Sequence, residues 1–228
     1  MIDRQSWWCL RATAGLVAAR RLALQTEGLQ HLPTTGPVLF VCRHYHHLYD
    51  GCALLAVIPR PLQFVVGLDW VQRGGSRRLM ELACRVAGWP VVLRPERLRD
   101  SVSAYRPEEV RPYVRSVLRT ARSVLRTGGA LVIFAEGYPI IEPHAIARPN
   151  DRSLLPFRPG FLHLIEFAQQ GGQVPIPLIP IGLAYTPGSR WQVVVRLGAP
   201  LFHRERTQRA ADLAAVEAAV RRLSRIES

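Results

Sequence analysis

The spacing of apolar positions changes repeatedly along the chain, and each change marks an element. Residues 37–42, Pro-Val-Leu-Phe-Val-Cys, form a short unbroken apolar run after Thr34-Thr35-Gly36, the pattern of a strand buried on both faces. Residues 62–66, 90–93, 130–134 and 175–184 repeat that pattern, and 191–197 alternates as an edge strand does. Between the runs the spacing becomes three and four, which predicts helices over 47–58, 76–88, 107–127, 159–169 and 208–225. In 76–88 the period is carried by Leu79, Leu82, Ala83 and Val86, and Ser76 stands where a cap belongs. An earlier helix is predicted over 5–27, where Leu10, Leu16, Val17 and Leu24 mix with Arg11, Arg20 and Arg21, and Trp7 and Trp8 lie near one end. Strands alternating with helices predict an α/β fold, with a mixed, mainly parallel sheet covered by helices. No linker or repeat divides the chain, so it reads as an N-terminal amphipathic helix within 1–30 and one domain over 31–228.

Composition narrows the class. The 228 residues are 48% hydrophobic and 21% charged, which excludes a disordered chain and a multi-pass membrane protein. No run reaches the roughly 18 apolar residues of a membrane-spanning helix. The net charge is +13 and every basic side chain is Arg, so phosphates attract the chain, in nucleic acid, in lipid headgroups or in small ligands. No nucleic-acid-binding module or aromatic stacking stripe is present, which argues against the first of these. The basic N-terminal helix, with its tryptophans, has the pattern of a helix lying on an anionic membrane surface, and a helix packed on the domain is the other reading. Cys9, Cys42, Cys52 and Cys84 have no regular spacing and are expected as free thiols in a reducing compartment. With no secretory signal pattern at the start, no export is expected.

Candidate chemistry follows the strands. Arg43-His44-Tyr45-His46-His47-Leu48-Tyr49-Asp50-Gly51 comes directly after the first apolar run, and ligands of α/β sheets bind outside the carboxyl ends of strands. A His held by a carboxylate makes a general base near neutral pH, so His44 with Asp50 is the candidate pair and His46 the alternative base. A knot of hydrogen-bonded histidines, or a metal site using Cys42, His44, His46 and Asp50, are the other readings; the spacing matches no zinc pattern. Glu136 and Gly137 follow the fourth apolar run, where Gly brings backbone N–H groups close to an anion. Arg94 ends the third run, and Arg158 opens the helix at Pro159, so both are candidate anion ligands.

In this order the segments resemble the phospholipid/glycerol acyltransferases, the lysophosphatidic-acid acyltransferase superfamily. The family's His and Asp correspond to His44 and Asp50, its Gly-to-Arg block to Gly88–Arg94, its Phe-Pro-Glu-Gly-Thr to Phe134-Ala135-Glu136-Gly137-Tyr138, its Phe-Lys-Pro-Gly to Phe157-Arg158-Pro159-Gly160, and its Val-Pro-Val strand to the run from Val174. The blocks span about 35–183. The chain departs from the pattern at Arg43, at Ala135, at Tyr138-Pro139 in place of Thr-Arg, and in a His-to-Asp interval one residue longer. The resemblance implies an O-acyltransferase using an acyl-CoA or acyl-ACP donor and a lipid acceptor, with His44 as base, Asp50 orienting it, and Arg94, Glu136, Gly137 and Arg158 binding acceptor or phosphate. It implies no metal and no cofactor and, since the substrates lie in a bilayer and no segment is long enough to span one, peripheral attachment at the cytoplasmic face of a membrane. With the Thr-Arg pair replaced, Arg148, Arg152 or Arg158 is the substitute, or the acceptor carries no phosphate. A catalytically weakened lipid-binding or scaffold protein of the same fold is the alternative.

Overall fold

In chain order the elements are α1 (Arg4–Arg21), β1 (Leu22–Glu27), β2 (Val38–Cys42), α2 (Tyr49–Val57), β3 (Leu62–Phe64), β4 (Val66–Gly67), α3 (Gly74–Val86), β5 (Val91–Val92) and α4 (Pro95–Asp100). They continue as α5 (Val110–Arg126), β6 (Ala130–Phe134), α6 (Gly160–Gln169), β7 (Pro177–Thr186), β8 (Trp191–Leu197), β9 (Leu201–Phe202) and α7 (Arg209–Leu223). The computed structural model describes residues 4–100, 102–141, 153–170 and 175–225; the candidate phosphate ligands Arg148 and Arg152 fall outside them.

All five residues of β2 are buried, because the sheet is covered on both faces. Alternation along the strand divides them: Val38, Phe40 and Cys42 enter one core with α1 and α2, and Leu39 and Val41 enter another with α5, α6 and α7. The seven-stranded sheet runs β1-β8-β7-β2-β6-β3, with β9 also on β7. β2 pairs in parallel with β6 and β7, β3 with β6, and β1 with β8, while β7 pairs antiparallel with β8 and β9. A mixed, mainly parallel α/β sheet flanked by helices is therefore what the chain forms.

Three expectations are corrected. The first helix stops at Arg21, and Leu22–Glu27 becomes a strand paired with β8. That pairing takes β8 off the edge: it lies between β1 and β7. The run at 90–93 does not join the main sheet: among the described residues β5 pairs with β4 in a separate two-stranded sheet.

Helix α3 has the expected period but not the usual orientation. The apolar row of such a helix ordinarily faces a core. Here Leu79, Leu82 and Val86 are 67%, 53% and 56% exposed. Polar contacts own the inner face: Arg77 pairs with Glu81 at 2.9 Å and with Glu109 at 2.6 Å, and Tyr113 donates to Glu81 at 2.5 Å. Cys84 alone of the helix is fully buried, in a small core with Leu68, Val71, Leu93, Leu98 and Tyr105.

Candidate active site

Parallel pairing sets the site. Cys42 and Phe134, the last residues of β2 and β6, lie opposite one another. Two residues farther on, the chains still face each other, and the His44 N–H donates to Glu136 Oε1 at 2.8 Å. The second Glu136 oxygen accepts the Leu155 N–H at 2.9 Å, so a buried carboxylate ties three segments together. The His44 ring stacks on Phe134, centroids 4.2 Å apart.

Asp50 sits in the first turn of α2 and is fully buried. Its Oδ2 lies 2.8 Å from His44 Nδ1. The same carboxylate accepts from the Tyr45 N–H at 2.7 Å, the His46 N–H at 3.1 Å and the Tyr185 hydroxyl at 2.6 Å. An ionised carboxylate only accepts, so Nδ1 carries the imidazole proton and Nε2 presents the lone pair. Burial and the neighbouring Asp50 push the Tyr185 phenol well above the usual tyrosine range, which keeps it a donor.

His46 is placed differently. Its Nδ1 accepts the N–H groups of Leu48 at 3.2 Å and Tyr49 at 3.3 Å, capping the start of α2, and its ring stacks on Tyr49. Burial, with His47 alongside, holds this imidazole below the usual histidine range. It touches Asp50 through its backbone, and its Nδ1 is spent on the helix end.

The small sheet brings up the cationic side. Arg94, two residues past β5, meets Asp69, two residues past β4: Nε lies 2.9 Å and 3.1 Å from the two Asp69 oxygens, and Nη2 lies 2.7 Å from Oδ2. Its Nη1 donates to the Gly137 carbonyl. Gly137 has φ 78°, and a Cβ there would sit 2.9 Å from Arg158 Nε, so the turn demands glycine. Arg158, near half exposed, pairs with Glu96. Between these groups lies Tyr138, buried, with the Arg94 and Arg158 guanidinium carbons 4.2 Å and 5.2 Å from its ring centre and its hydroxyl 2.9 Å from Glu96. Burial first, then the Glu96 carboxylate, pushes that phenol up to about 12.

The acyltransferase family model matches residues 23–184. The chain belongs to the acyltransferase family. The solved 1-acyl-sn-glycerophosphate acyltransferase PlsC of Thermotoga maritima has the same fold, with a TM-score of 0.55 at 17% identity over 98% of this chain and 84% of that one. The search of curated proteins found no match to this chain.

In this acyltransferase the candidates fall into two linked groups. His44 and Asp50 meet directly, Glu136 holds the His44 backbone, and Gly137 joins that group to Arg94 and Arg158. Tyr185, Asp69 and Glu96 were not legible as site residues. Asp69 carried a signal: like His44, Glu136 and Arg94 it stands two residues past a strand's end. Tyr185 carried none, because it lies inside β7, which runs parallel to β2 and continues past Ile181, the partner of Cys42, to reach Asp50. Among the described residues no cluster of three or more His, Cys, Asp or Glu is arranged to hold a metal, and no helix is long and apolar enough to cross a membrane.

Proposed function

We propose that the protein transfers a fatty acyl group from an acyl thioester, on coenzyme A or acyl carrier protein, to the hydroxyl of a lysophospholipid, glycerol phosphate or related lipid. The observation that carries this reading is the 2.8 Å contact of His44 Nδ1 with a fully buried Asp50 at the carboxyl end of β2. His44 Nε2 takes the acceptor's hydroxyl proton as that oxygen attacks the thioester carbonyl. The tetrahedral intermediate collapses, the C–S bond breaks, and the thiolate leaves with the proton His44 held. Asp50 orients the ring and balances its charge while it is protonated. No acyl-enzyme, metal or cofactor enters the scheme.

Of the two candidate phosphate ligands, Arg158 is the better supported. It stands near half exposed, whereas Arg94 is buried with its fork on Asp69 and Gly137. Arg94 then acts by holding the Gly137 turn. The protein works peripherally on the cytoplasmic face of an anionic membrane. Trp8 and Leu16, exposed on α1, and Arg20 and Arg21 at its end support contact there, although Trp7 is packed into the core.

The test is thiol release from a panel of acyl-CoA and acyl-ACP donors, with and without lysophospholipid, for wild type, His44→Ala and His46→Ala. Release is expected to need the acceptor and His44, and to fall by about 100-fold or more in His44→Ala. Wild-type rate in His44→Ala, or no release from folded wild type across the panel, refutes the reading.

A further inference from the structure

The outer face of α3 is built against the ordinary rule for a helix on a soluble domain. At about 100° per residue, Leu79, Leu82 and Val86 fall within an arc of about 60°, diametrically opposite the buried Cys84. All three are more than half exposed. Arg78 and Arg85, both exposed, line one flank of this row. The helix's single carboxylate, Glu81, is turned inward onto Arg77 and Tyr113. The outward surface therefore consists of an apolar row beside guanidinium groups, with no acid. An inner face bound by ion pairs prevents the helix from rolling to hide its leucines.

We infer that the outer face of α3 docks the protein on an anionic lipid bilayer, with Leu79, Leu82 and Val86 entering the headgroup boundary and Arg78 and Arg85 meeting lipid phosphates. Charge decides between this occupant and a second copy of the chain. A symmetric contact between two α3 faces sets like arginines against each other, whereas an anionic leaflet complements them. Position fits as well. The chain leaves the carboxyl end of β4 for Asp69, which binds Arg94 beside Gly137, and passes Trp70, which is exposed with its Nε1 on the Gly67 carbonyl, before entering α3. The start of the helix thus lies at the end of the fold where His44 stands. This surface rests on the proposed lipid substrate only for the choice of partner.

The experiment is co-sedimentation of the full chain with phosphatidylcholine vesicles and with phosphatidylglycerol–phosphatidylcholine vesicles, without acyl donor. The variants are Leu79→Gln/Leu82→Gln/Val86→Gln, Arg78→Gln/Arg85→Gln, and Trp8→Gln/Leu16→Gln on α1. Wild type is expected to pellet with the anionic vesicles. The α3 apolar variant is expected to lose about tenfold or more in binding. The arginine variant is expected to lose roughly fivefold per arginine on anionic vesicles only. The replaced side chains are exposed, so thermal melts should match wild type, and sedimentation velocity reads any self-association. The inference is overturned by wild-type binding in the α3 apolar variant, by no wild-type binding to either vesicle, by loss in the α1 variant alone, or by a wild-type dimer that the α3 substitutions abolish. Turnover plays no part in the readout, so failure here leaves the acyl-transfer reading standing, and an inactive enzyme that binds vesicles leaves this one standing.

Discussion

Asp50→Asn tests the centre of the site most sharply, because one carboxylate serves both the fold and the proposed base. Four groups donate to it: His44 Nδ1, the N–H groups of Tyr45 and His46, and the Tyr185 hydroxyl. An amide offers one acceptor oxygen. Placed at Oδ2, its NH2 would oppose both the Tyr45 N–H and His44. Placed at Oδ1, it opposes only the His46 N–H, which still reaches the oxygen at Oδ2 at 3.1 Å, since the Tyr185 hydroxyl can rotate to accept. The second arrangement costs less and keeps His44 on an oxygen, but the charge is gone. Turning several charge-assisted bonds into neutral ones costs on the order of 1 kcal/mol each, and the opposed N–H about 1–3 kcal/mol, for a total of about 3–5 kcal/mol. In a domain of this size that lowers the melting midpoint by on the order of 10 °C.

The catalytic loss should be separable from the structural one. With no negative partner for the protonated imidazole, kcat should fall by about 100-fold to 10,000-fold, with KM little changed, when thiol release is followed well below the variant's melting midpoint. Tyr185→Phe is the control. It removes one donor to a charged acceptor, about 1.5–3 kcal/mol of stability, and leaves the His44–Asp50 contact in place. Its midpoint should drop while kcat stays within about tenfold of wild type. Asp50→Asn with wild-type kcat, or Tyr185→Phe as inactive as Asp50→Asn, would refute the argument that Asp50 acts through the His44 ring.

Three further outcomes follow from the same contacts. Glu136→Gln leaves one of the His44 and Leu155 N–H groups facing an amide NH2, so it should cost about 1–3 kcal/mol in chemical denaturation and slow turnover by displacing His44. Arg94→Met leaves the fully buried Asp69 with Arg97, 3.7 Å away, as its nearest cation, and should cost about 3–5 kcal/mol by the same measurement. His46 titrates lower in the folded protein than its unfolded value of about 6.5. The unfolded chain therefore binds more protons, so the stability contribution is complete above about pH 6.5 and is lost as pH falls through that value toward the folded one. His46→Asn, whose side-chain oxygen accepts the same N–H groups without titrating, should unfold with a flatter denaturant midpoint between about pH 7.5 and 5.5; an unchanged slope would contradict the cap.

Much of the fold was legible because buried strands leave an unmistakable apolar run. β2 and β6 lie where Val38–Cys42 and Ala130–Phe134 put them, since both faces of a central parallel strand must be apolar. The errors share a cause. Leu22–Glu27 continues an alanine-rich helix without a break in composition, and only pairing with β8, remote in sequence, makes it a strand. In α3 the period of three and four gave the helix but not its orientation. Period belongs to the segment, whereas the inward face is chosen by its neighbours, here the carboxylates of Glu81 and Glu109 that hold Arg77 underneath.

The site shows the same division. Strand ends placed His44, Glu136 and Arg94, because ligands gather at the carboxyl ends of parallel strands: His44 and Glu136 leave the main sheet side by side, and Arg94 leaves the small sheet to meet Gly137. The longer interval between His44 and Asp50 has its explanation in contacts that no spacing rule contains. The Asp50 carboxylate accepts the N–H groups of Tyr45 and His46, so the loop wraps around the group that its extra residue would otherwise have carried away from His44. His46, whose ring caps α2, then fixes the far end of that loop. A base on a loop of altered length is held by its own orienting carboxylate, which is why Asp50 should prove costlier to lose for stability than His44 itself.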